Sequence, residues 1–477
     1  MGLKKNLVYS TILTFSTYLV PLVVFPYISR VLGPKGIGGI DVVESVINYS
    51  ILFSMMGLST LGIREIAKTK DDSDTLRQTF VDLFSLNLIS TLIVLAILVL
   101  MLFTVPQFVD RKELFLIGLI KLVFNLFWIE WFFKGMENFR YITIRSVIMR
   151  MLFILLVFCF VRTSSDDLLY YFFWVSLTVG NAICNWNYRK RYVRFSLKQA
   201  RPARYVRPFV LLGLFAMLSA VYTQLNVTYL GFVCGDQEAG YYTTATRLYF
   251  VLIALFSTLT GVMIPHMSTL VKNNDQNEIR RMTLKTFQLL FLFALPVIYY
   301  MEIFSSDVIY LIAGKAFEGA VLPMRIVMFL VLIIGTEQIF IMQLLIPLRK
   351  DKAVLSCAVT GASVCVIINL LIVGQLASVG SAIAWVMAEC SVLLVSAFWV
   401  YRYLSVTFPV KLFLKNLFFS LPYLILGLII IYVIDNLWWR LLMGACFYLV
   451  YAYILEEKLL KLGIVSNLIS MINHKNR

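Results

Sequence analysis

The chain has 477 residues, of which 60% are hydrophobic and 14% are charged, and its mean hydropathy is +0.86. Soluble domains are only about 45–50% apolar, so this composition excludes an ordinary soluble protein and predicts a polytopic membrane protein. The net charge of +16 does not indicate nucleic acid as a partner, because Lys and Arg concentrate in alternate loops between apolar segments, as the positive-inside rule describes.

Apolar segments long enough to cross a bilayer recur along the whole chain. A helix needs about 20 apolar residues to cross the hydrocarbon core, and the sequence predicts about fourteen such spans, with twelve or thirteen as alternatives. The distribution of Lys and Arg places both termini in the cytoplasm. The predicted spans are 7–29, 38–62, 79–102, 114–133, 142–161, 167–187, 208–232, 240–264, 284–301, 321–346, 353–374, 378–400, 411–434 and 437–455.

The predicted organisation is two six-helix lobes followed by two further helices. A loop at 189–207 holds eight basic residues and no acidic residue, and it falls where two six-span halves would join. The predicted domains are an N-terminal lobe at 1–188, a basic cytoplasmic linker at 189–207, a C-terminal lobe at 208–402, and spans thirteen and fourteen with a cytoplasmic tail at 403–477.

A weak internal repeat supports the two lobes. The segments 32–38 and 234–240 each contain Gly-x-x-x-x-Gly, and the two copies lie 202 residues apart (235 minus 33). Each segment joins the first two spans of a predicted lobe. Parallel repeats of this kind occur in several transporter folds. The alternative is that both segments are unrelated tight turns that happen to use glycine.

Charged residues lie inside several predicted spans. A charge at the bilayer centre costs about 2.5–3.5 kcal/mol on insertion scales, and such residues usually face a water-filled path or a binding cavity. This pattern predicts a protein that moves a polar cargo across the membrane. The charged residues within otherwise apolar stretches are Lys121, Glu130, Arg150, Arg247, Glu337 and Glu389.

Span four carries a helical face suited to sugars. Lys121, Asn125, Trp128 and Phe132 follow i, i+4, i+7, i+11 spacing, so they are predicted to share one face of a helix. Aromatic rings pack on the C–H faces of sugars, and amides bond to their hydroxyl groups. The alternative is ordinary helix packing, with the Lys121 side chain extending to the interface.

Two arginines complete the candidate substrate-binding set of Lys121, Asn125, Trp128, Arg150 and Arg247. An arginine at the predicted depth of Arg150 needs a carboxylate, a phosphate or water, so it either faces the cavity or pairs with Glu130. The repeat relates Arg247 to a position beside Glu44. These two charges either pair at the mouth of a cavity, or Arg247 receives the cargo.

Four acidic residues, Glu44, Glu130, Glu337 and Glu389, are candidates for coupling or gating. Deep carboxyl groups can bind H⁺ or Na⁺, or they can serve as buried hydrogen-bond anchors, and the sequence leaves both interpretations open for Glu337 and Glu389. We find no catalytic motif, no metal site among the two histidines and seven scattered cysteines, and no signature of an organic cofactor. A membrane-embedded polysaccharide polymerase or ligase is the alternative of another class.

Several segments resemble the polysaccharide or O-antigen flippases (Wzx-type, the polysaccharide transporter family) of the MOP exporter superfamily. The most specific is WIEWFFKGME at 128–137, which resembles the W-x-F-x-G-x-E stretch of that family. The 349–352 segment, RKDK, departs from a glycine-rich ending that is common in the family. The other matching segments are RVLGPKGIG at 30–38, GIREIA at 62–67, AGYYTTATR at 239–247, LIP at 345–347 and GSAIA at 380–384.

The resemblance implies an all-α fold of the MATE-like type, with about fourteen transmembrane helices in two six-helix lobes plus two C-terminal helices. It implies a non-enzymatic flippase that carries a polyprenyl-pyrophosphate-linked oligosaccharide from the cytoplasmic to the periplasmic leaflet of the bacterial inner membrane by alternating access. Expected partners are that cargo, membrane lipids, and a polysaccharide polymerase or glycosyltransferases. Within the same superfamily, a drug/cation antiporter and a lipid II flippase are the alternatives.

Overall fold

A computed structural model describes residues 3–196, 200–273 and 275–454. Every regular element among them is helical, which agrees with the predicted all-α class. Short 3₁₀ turns lie at Arg189–Arg191 and Lys315–Ala320, and π-helical turns lie at Gln338–Leu345 and Asn369–Val373. The α-helices are α1 Leu3–Met55, α2 Leu58–Thr69, α3 Ser73–Thr104, α4 Pro106–Val109, α5 Lys112–Trp128, α6 Glu130–Gly135, α7 Phe139–Phe160, α8 Asp167–Tyr188, α9 Ala203–Val233, α10 Asp236–Lys272, α11 Gln276–Ile312, α12 Val321–Met328, α13 Leu330–Glu337, α14 Asp351–Ile368, α15 Gly374–Leu404, α16 Val410–Val433 and α17 Leu437–Ile454.

The chain is a multi-pass membrane protein. Within the described residues, ten helical stretches are long and apolar enough to cross a membrane, or eleven when the two parts of α10, bent by 44°, are taken as one span. Two of these stretches, Val20–Thr69 and Asp351–Leu404, contain 50 and 54 residues, more than twice the length that one crossing needs. Breaks at Gly33 and Ala377 divide them. The exact count of fourteen spans stays a prediction.

The two glycine turns of the predicted repeat each contain a glycine with positive φ, and they pack against each other. Gly33 and Gly235 both have positive φ, 68° and 92°, a conformation that glycine adopts at little cost. A Cβ added to Gly38 would overlap the carbonyl oxygen of Asp236, and one added to Gly240 would overlap that of Pro34. These four contacting positions are related by the same offset of 202 residues, so the glycines of the repeat are requirements of backbone packing.

The described chain divides into two compact units, Met1–Gly240 and Tyr241–Arg477. The first unit includes α9, which carries span seven of the predicted C-terminal lobe at 208–402, and the predicted lobe boundaries stay a prediction. α9 packs closely against α1. Gly231 lies directly against the Val42 side chain, and the hydroxyl oxygens of Ser45 and Thr228 are 2.7 Å apart.

A cluster of aromatic side chains fixes the helices around one end of the first unit. Phe80 of α3 contacts Trp131 and Phe132 of α6, with ring centroids 5.7 and 5.1 Å apart. Phe132 and Phe133 are fully buried. Aromatic pairs contribute about 0.5–1.5 kcal/mol each beyond the burial of their area, so this cluster holds α6 at a fixed position beside the cavity described below.

We predict that Gly38→Ala destabilises the fold. The added methyl group meets the backbone of the second turn, which cannot move away as a flexible side chain would, and overpacking of this kind costs about 1–3 kcal/mol. The measurement is the thermal unfolding midpoint of the purified protein in detergent. Gly261→Ala is the matched control, because a Cβ at Gly261 has no neighbour within 4 Å. An unchanged midpoint for Gly38→Ala would contradict the packing of the turns.

Candidate functional site

A cavity of about 480 Å³ lies within the first unit. Its volume is in the range of small-molecule sites. Residues of α1, α5, α6, α7 and α8 line it, which brings together side chains that are far apart in the sequence. The polar and aromatic groups of its lining are Thr14, Thr17, Lys121, Trp128, Glu130, Lys134, Ser146, Arg150, Trp174, Thr178 and Asn181. The cavity thus combines indole rings, hydroxyl and amide groups, three cations and one carboxylate.

Lys121 lies at the cavity wall and forms an ion pair with Glu44. Its Nζ donates to Glu44 Oε1 and, at 3.1 Å, to Asn48 Oδ1. Glu44 also accepts hydrogen bonds from the Tyr171 hydroxyl at 3.0 Å and from Trp174 Nε1 at 3.2 Å. Lys121 is only 9% exposed, so the structure favours the cavity-facing placement over extension to the interface. The charge of Lys121 is balanced by Glu44.

Glu130 is the carboxylate that lines the cavity, and it has several donors. Its Oε1 pairs with Lys134 Nζ at 2.8 Å. Its Oε2 accepts from Trp128 Nε1 at 2.9 Å and from Arg145 Nη2 at 3.4 Å. Trp128 therefore presents its ring at the cavity while its indole N–H is engaged. Glu130 is held in place by two cations and is not a free acceptor for a cationic ligand.

Arg150 is the cation of the cavity without a carboxylate partner among the described residues. It donates to the Leu13 carbonyl at 3.2 Å, to Thr17 Oγ1 at 2.9 Å and to Ser16 Oγ. The ion pair with Glu130, which the sequence left open, is not formed. Neutral oxygens orient the guanidinium without cancelling its charge, and a planar guanidinium can bind phosphate oxygens in a bidentate manner.

The helical face predicted for span four is interrupted. α5 ends at Trp128, and Ile129 adopts φ 28° and ψ 35°, a rare conformation for a β-branched residue. Because of this break, Phe132 lies in the aromatic cluster, and the prediction that it shares the face of Lys121 is wrong. Asn125 is buried, lies outside the cavity lining, and its Nδ2 has no hydrogen-bond partner in the part of the chain that the structure describes.

The second unit contains a pair of buried carboxyl groups. Glu337 of α13 and Glu389 of α15 are 6% and 3% exposed, and Glu337 Oε1 has no hydrogen-bond partner among the described residues. Trp385 Nε1 donates to Glu389 Oε1 at 2.9 Å. Arg247 lies on α10 in this second unit, whereas the partner found for Glu44 is Lys121.

The sequence alone did not select several residues of the cavity. Lys134, Ser146, Trp174 and Asn181 all line it without being among the candidate site residues. A signal for two of them was present, since Trp174 and Asn181 are seven residues apart and therefore share a face of α8. Lys134 is recognisable only once Ile129 has redirected α6 toward the cavity.

Comparison with known proteins identifies the family of this chain and two of its relatives. The family profile described as "Polysaccharide biosynthesis protein" matches residues 3–271. A protein of Escherichia coli K12 named "Putative O-antigen transporter" is 24% identical over 401 residues, 82% of this chain and 95% of the relative. A Shigella dysenteriae protein of the same name is 22% identical over 280 residues, 56% of this chain and 68% of that protein.

Two solved structures share the fold. The lipid II flippase MurJ in an inward closed conformation has a TM-score of 0.76 at 16% identity, covering 95% of this chain and 100% of its own. An inward-facing multidrug resistance MATE transporter of the MOP superfamily has a TM-score of 0.64 at 15% identity, covering 84% and 98%. These likenesses confirm the predicted all-α, MATE-like fold.

We predict strong energetic coupling between Glu44 and Lys121. Replacing one member of a buried ion pair leaves the other charge uncompensated and costs about 3 kcal/mol or more. Glu44→Gln and Lys121→Gln should therefore each destabilise the protein, while the double variant is more stable than the sum of the two predicts. Unfolding of all four proteins in detergent gives the coupling energy, expected at about 0.5–3 kcal/mol.

The matched control is the exposed pair of Lys70 and Glu137, 2.9 Å apart. Their hydrogen bond lowers the pKa of Glu137 and raises the pKa of Lys70, yet both groups are in water. The same cycle with Lys70→Gln and Glu137→Gln should show much weaker coupling. Equal coupling in the two cycles would show that the Glu44 pair is not a buried interaction.

Proposed function

Because the chain belongs to the family of polysaccharide biosynthesis proteins, we propose that it is a flippase for a polyprenyl-pyrophosphate-linked oligosaccharide. The observation that carries the proposal is Arg150, a cavity arginine held by neutral oxygens and without a carboxylate partner among the described residues. The relatives of this chain are named "Putative O-antigen transporter". MurJ, whose fold the chain shares, is named as a lipid II flippase.

The cavity has the chemistry that such a cargo requires. Sugars and pyrophosphate cannot enter hydrocarbon without losing their hydration, whereas a polyprenyl chain can remain in the lipid. Trp128 and Trp174 offer ring faces for sugars, Asn181 and Thr178 offer hydrogen bonds, and Arg150 offers a charge for the pyrophosphate. Lys121 and Arg247 are the further cations that we propose assist Arg150, with Asn125 supporting the wall behind the cavity.

Carboxylate pairing favours this function over a drug/cation antiporter. A cationic drug needs an available acid, yet Glu44 and Glu130 are already paired with Lys121, Lys134 and Arg145. A lipid II flippase would need a similar anion site, so that alternative differs in the sugar and not in the mechanism. Against the polymerase or ligase alternative, the relatives are named as transporters, and the cavity groups are arranged to bind rather than to react.

We place the protein in the bacterial inner membrane, with both termini in the cytoplasm. The distribution of Lys and Arg supports this orientation. The basic segment at 189–207 then lies on the cytoplasmic side, where the cargo is made. A polysaccharide polymerase or glycosyltransferases are the partners that we propose for the protein surface, and no organic cofactor is needed for the transport step.

Transport against a gradient requires an energy source, and we propose H⁺ as the coupling ion. Glu337 and Glu389 are the two buried carboxyl groups of the second unit, and we propose that they bind the coupling proton and release it when one carboxyl gains access to water. Na⁺ is the alternative ion. Glu44 and Glu130 are then gating residues, because their ion pairs must be kept or exchanged as the cavity opens to either side.

We predict that Arg150→Gln abolishes flipping without unfolding the protein. The variant keeps hydrogen-bonding capacity but loses the positive charge for the pyrophosphate. In cells that lack the native gene, the variant should leave the undecaprenyl-pyrophosphate-linked glycan facing the cytoplasm, whereas the unchanged chain restores turnover. Arg162→Gln, at an exposed arginine just beyond the C-terminal end of α7, is the control and should support normal turnover.

Three outcomes of this experiment distinguish the proposals. Full activity with Lys121, Arg150 and Arg247 all replaced by Gln would overturn the anion-binding role of these residues. Normal glycan turnover in cells lacking the gene would contradict the flippase function and favour drug export. Single repeat units that accumulate on the periplasmic side would indicate a polymerase.

We predict that Glu337→Gln and Glu389→Gln each uncouple transport from the proton gradient. A glutamine keeps the volume and the capacity to form hydrogen bonds but cannot bind and release a proton. Flipping measured in membrane vesicles should increase with an imposed pH gradient for the unchanged protein and become insensitive to it in both variants. Glu318→Gln, at an exposed carboxylate, should behave like the unchanged protein. A response to a Na⁺ gradient alone would contradict proton coupling.

A further inference from the structure

A second concave site lies in the first unit, at the surface between α7 and α8. It is a groove of about 620 Å³, and none of its lining residues lines the cavity. Its polar end contains Asn138, Arg140, Tyr141, Arg145 and Tyr188, and its walls include Ile144, Ile148 and Met149. The groove is therefore cationic at one end and apolar along the rest.

The cationic end lies at the depth of lipid headgroups. α7 contains 22 residues, so it is about 33 Å long, close to the thickness of the hydrocarbon core. Arg140 is the second residue of this helix and is exposed, and no ion pair to it occurs among the described residues. Arg145 lies about 7.5 Å further along the axis and is buried. Two guanidinium groups thus follow one another from the interface inward.

The apolar part of the groove continues as a stripe on α7. The exposed side chains that follow Ile144 are Ile148, Met151, Leu152 and Leu155, between 48% and 61% exposed. Their spacing puts them on one side of the helix. A stripe of this length, starting directly beneath two arginines, matches an acyl chain that hangs from a negatively charged headgroup.

Two stacked tyrosines give the polar end a defined shape. The rings of Tyr141 and Tyr188 are 3.9 Å apart and nearly parallel. Arg145 lies over Tyr141 at 5.6 Å, and Arg191 lies over Tyr188 at 4.9 Å. Arg145 Nη1 and Nη2 are bonded to Asn185, Ser146 and Glu130, while its Nε has no partner in the described parts of the chain.

We propose that this groove binds an anionic phospholipid of the cytoplasmic leaflet, with its phosphate at Arg140 and Arg145 and an acyl chain along Ile144 and Ile148. The positive-inside pattern puts this end of α7 at the cytoplasmic surface, where anionic lipids attract basic residues. The cargo is the less suitable occupant, because its sugars need the cavity and the groove shares no lining residue with it.

Arg145 connects the lipid site to the cavity. The same guanidinium that lines the groove bonds to Glu130 Oε2, and Glu130 also holds Trp128 and Lys134 at the cavity wall. A phosphate at Arg145 competes with Glu130 for its donors. Occupancy of the groove by an anionic lipid therefore adjusts the electrostatics of the cavity from outside it. This inference rests on the membrane fold and not on the identity of the cargo.

The first test measures stabilisation by phosphatidylglycerol. Purified protein in detergent is titrated with phosphatidylglycerol or with zwitterionic phosphatidylethanolamine, and the thermal unfolding midpoint is followed. We expect phosphatidylglycerol to raise the midpoint of the unchanged protein, and Arg140→Gln to lose most of that increase. Arg162→Gln, which removes an exposed arginine just beyond the opposite end of α7, should keep that increase. Equal responses of the unchanged protein and Arg140→Gln overturn the proposal.

The second test uses Cys184, which lines the groove, and does not depend on stability. Phosphatidylglycerol should slow alkylation of Cys184 by N-ethylmaleimide severalfold, as read by peptide mass spectrometry. The exposed Cys159, near the other end of α7, is the internal control and should be unaffected. Protection of Cys184 by polyprenyl phosphate but not by phosphatidylglycerol would assign the groove to the cargo and overturn the proposal. Failure of flipping by the unchanged protein would leave the lipid result intact.

Discussion

The cost of placing charge inside a membrane determines how the first unit is built. Glu44 and Glu130 are both located between helices, and each is matched by at least one cation from another part of the chain or from the next helical turn. Breaking such a pair is expensive, because the remaining charge keeps its desolvation penalty. The cluster formed by Glu44, Lys121, Tyr171 and Trp174 thereby fixes α1, α5 and α8 around the cavity.

This pairing also explains why one cation can act differently from the others. Lys121 and Lys134 each have a carboxylate partner that balances part of their charge. Arg150 is bonded to a carbonyl and to hydroxyl oxygens of α1, which orient it without neutralising it. Since α1 supplies those oxygens and also contains Pro21 at the cavity wall, a bend in α1 changes the surroundings of Arg150 directly.

The sequence predicted the general architecture because its signals are local. Apolar length identifies helices that cross a membrane, and the turn glycines Gly33 and Gly235 identify the repeat because only particular residues tolerate positive φ. The sequence signals do not show which charged residues form ion pairs. Glu44 and Lys121 are separated by 77 residues, and the repeat only related Arg247 to a position beside Glu44, because an offset relates positions without specifying which helices touch.

The break at Ile129 shows a second limit of periodicity. The i, i+4, i+7, i+11 pattern assumes an unbroken helix, and no glycine or proline marks position 129. The structure bends there because Trp131, Phe132 and Phe133 are buried in the aromatic cluster, which offsets the cost of a strained backbone of about 1–3 kcal/mol. Strain of that size is maintained where the surrounding structure fixes it. The break at Ile129 turns Glu130 and Lys134 toward the cavity. Burial of three aromatic rings on one side of α6 therefore positions these two charged residues on its other side.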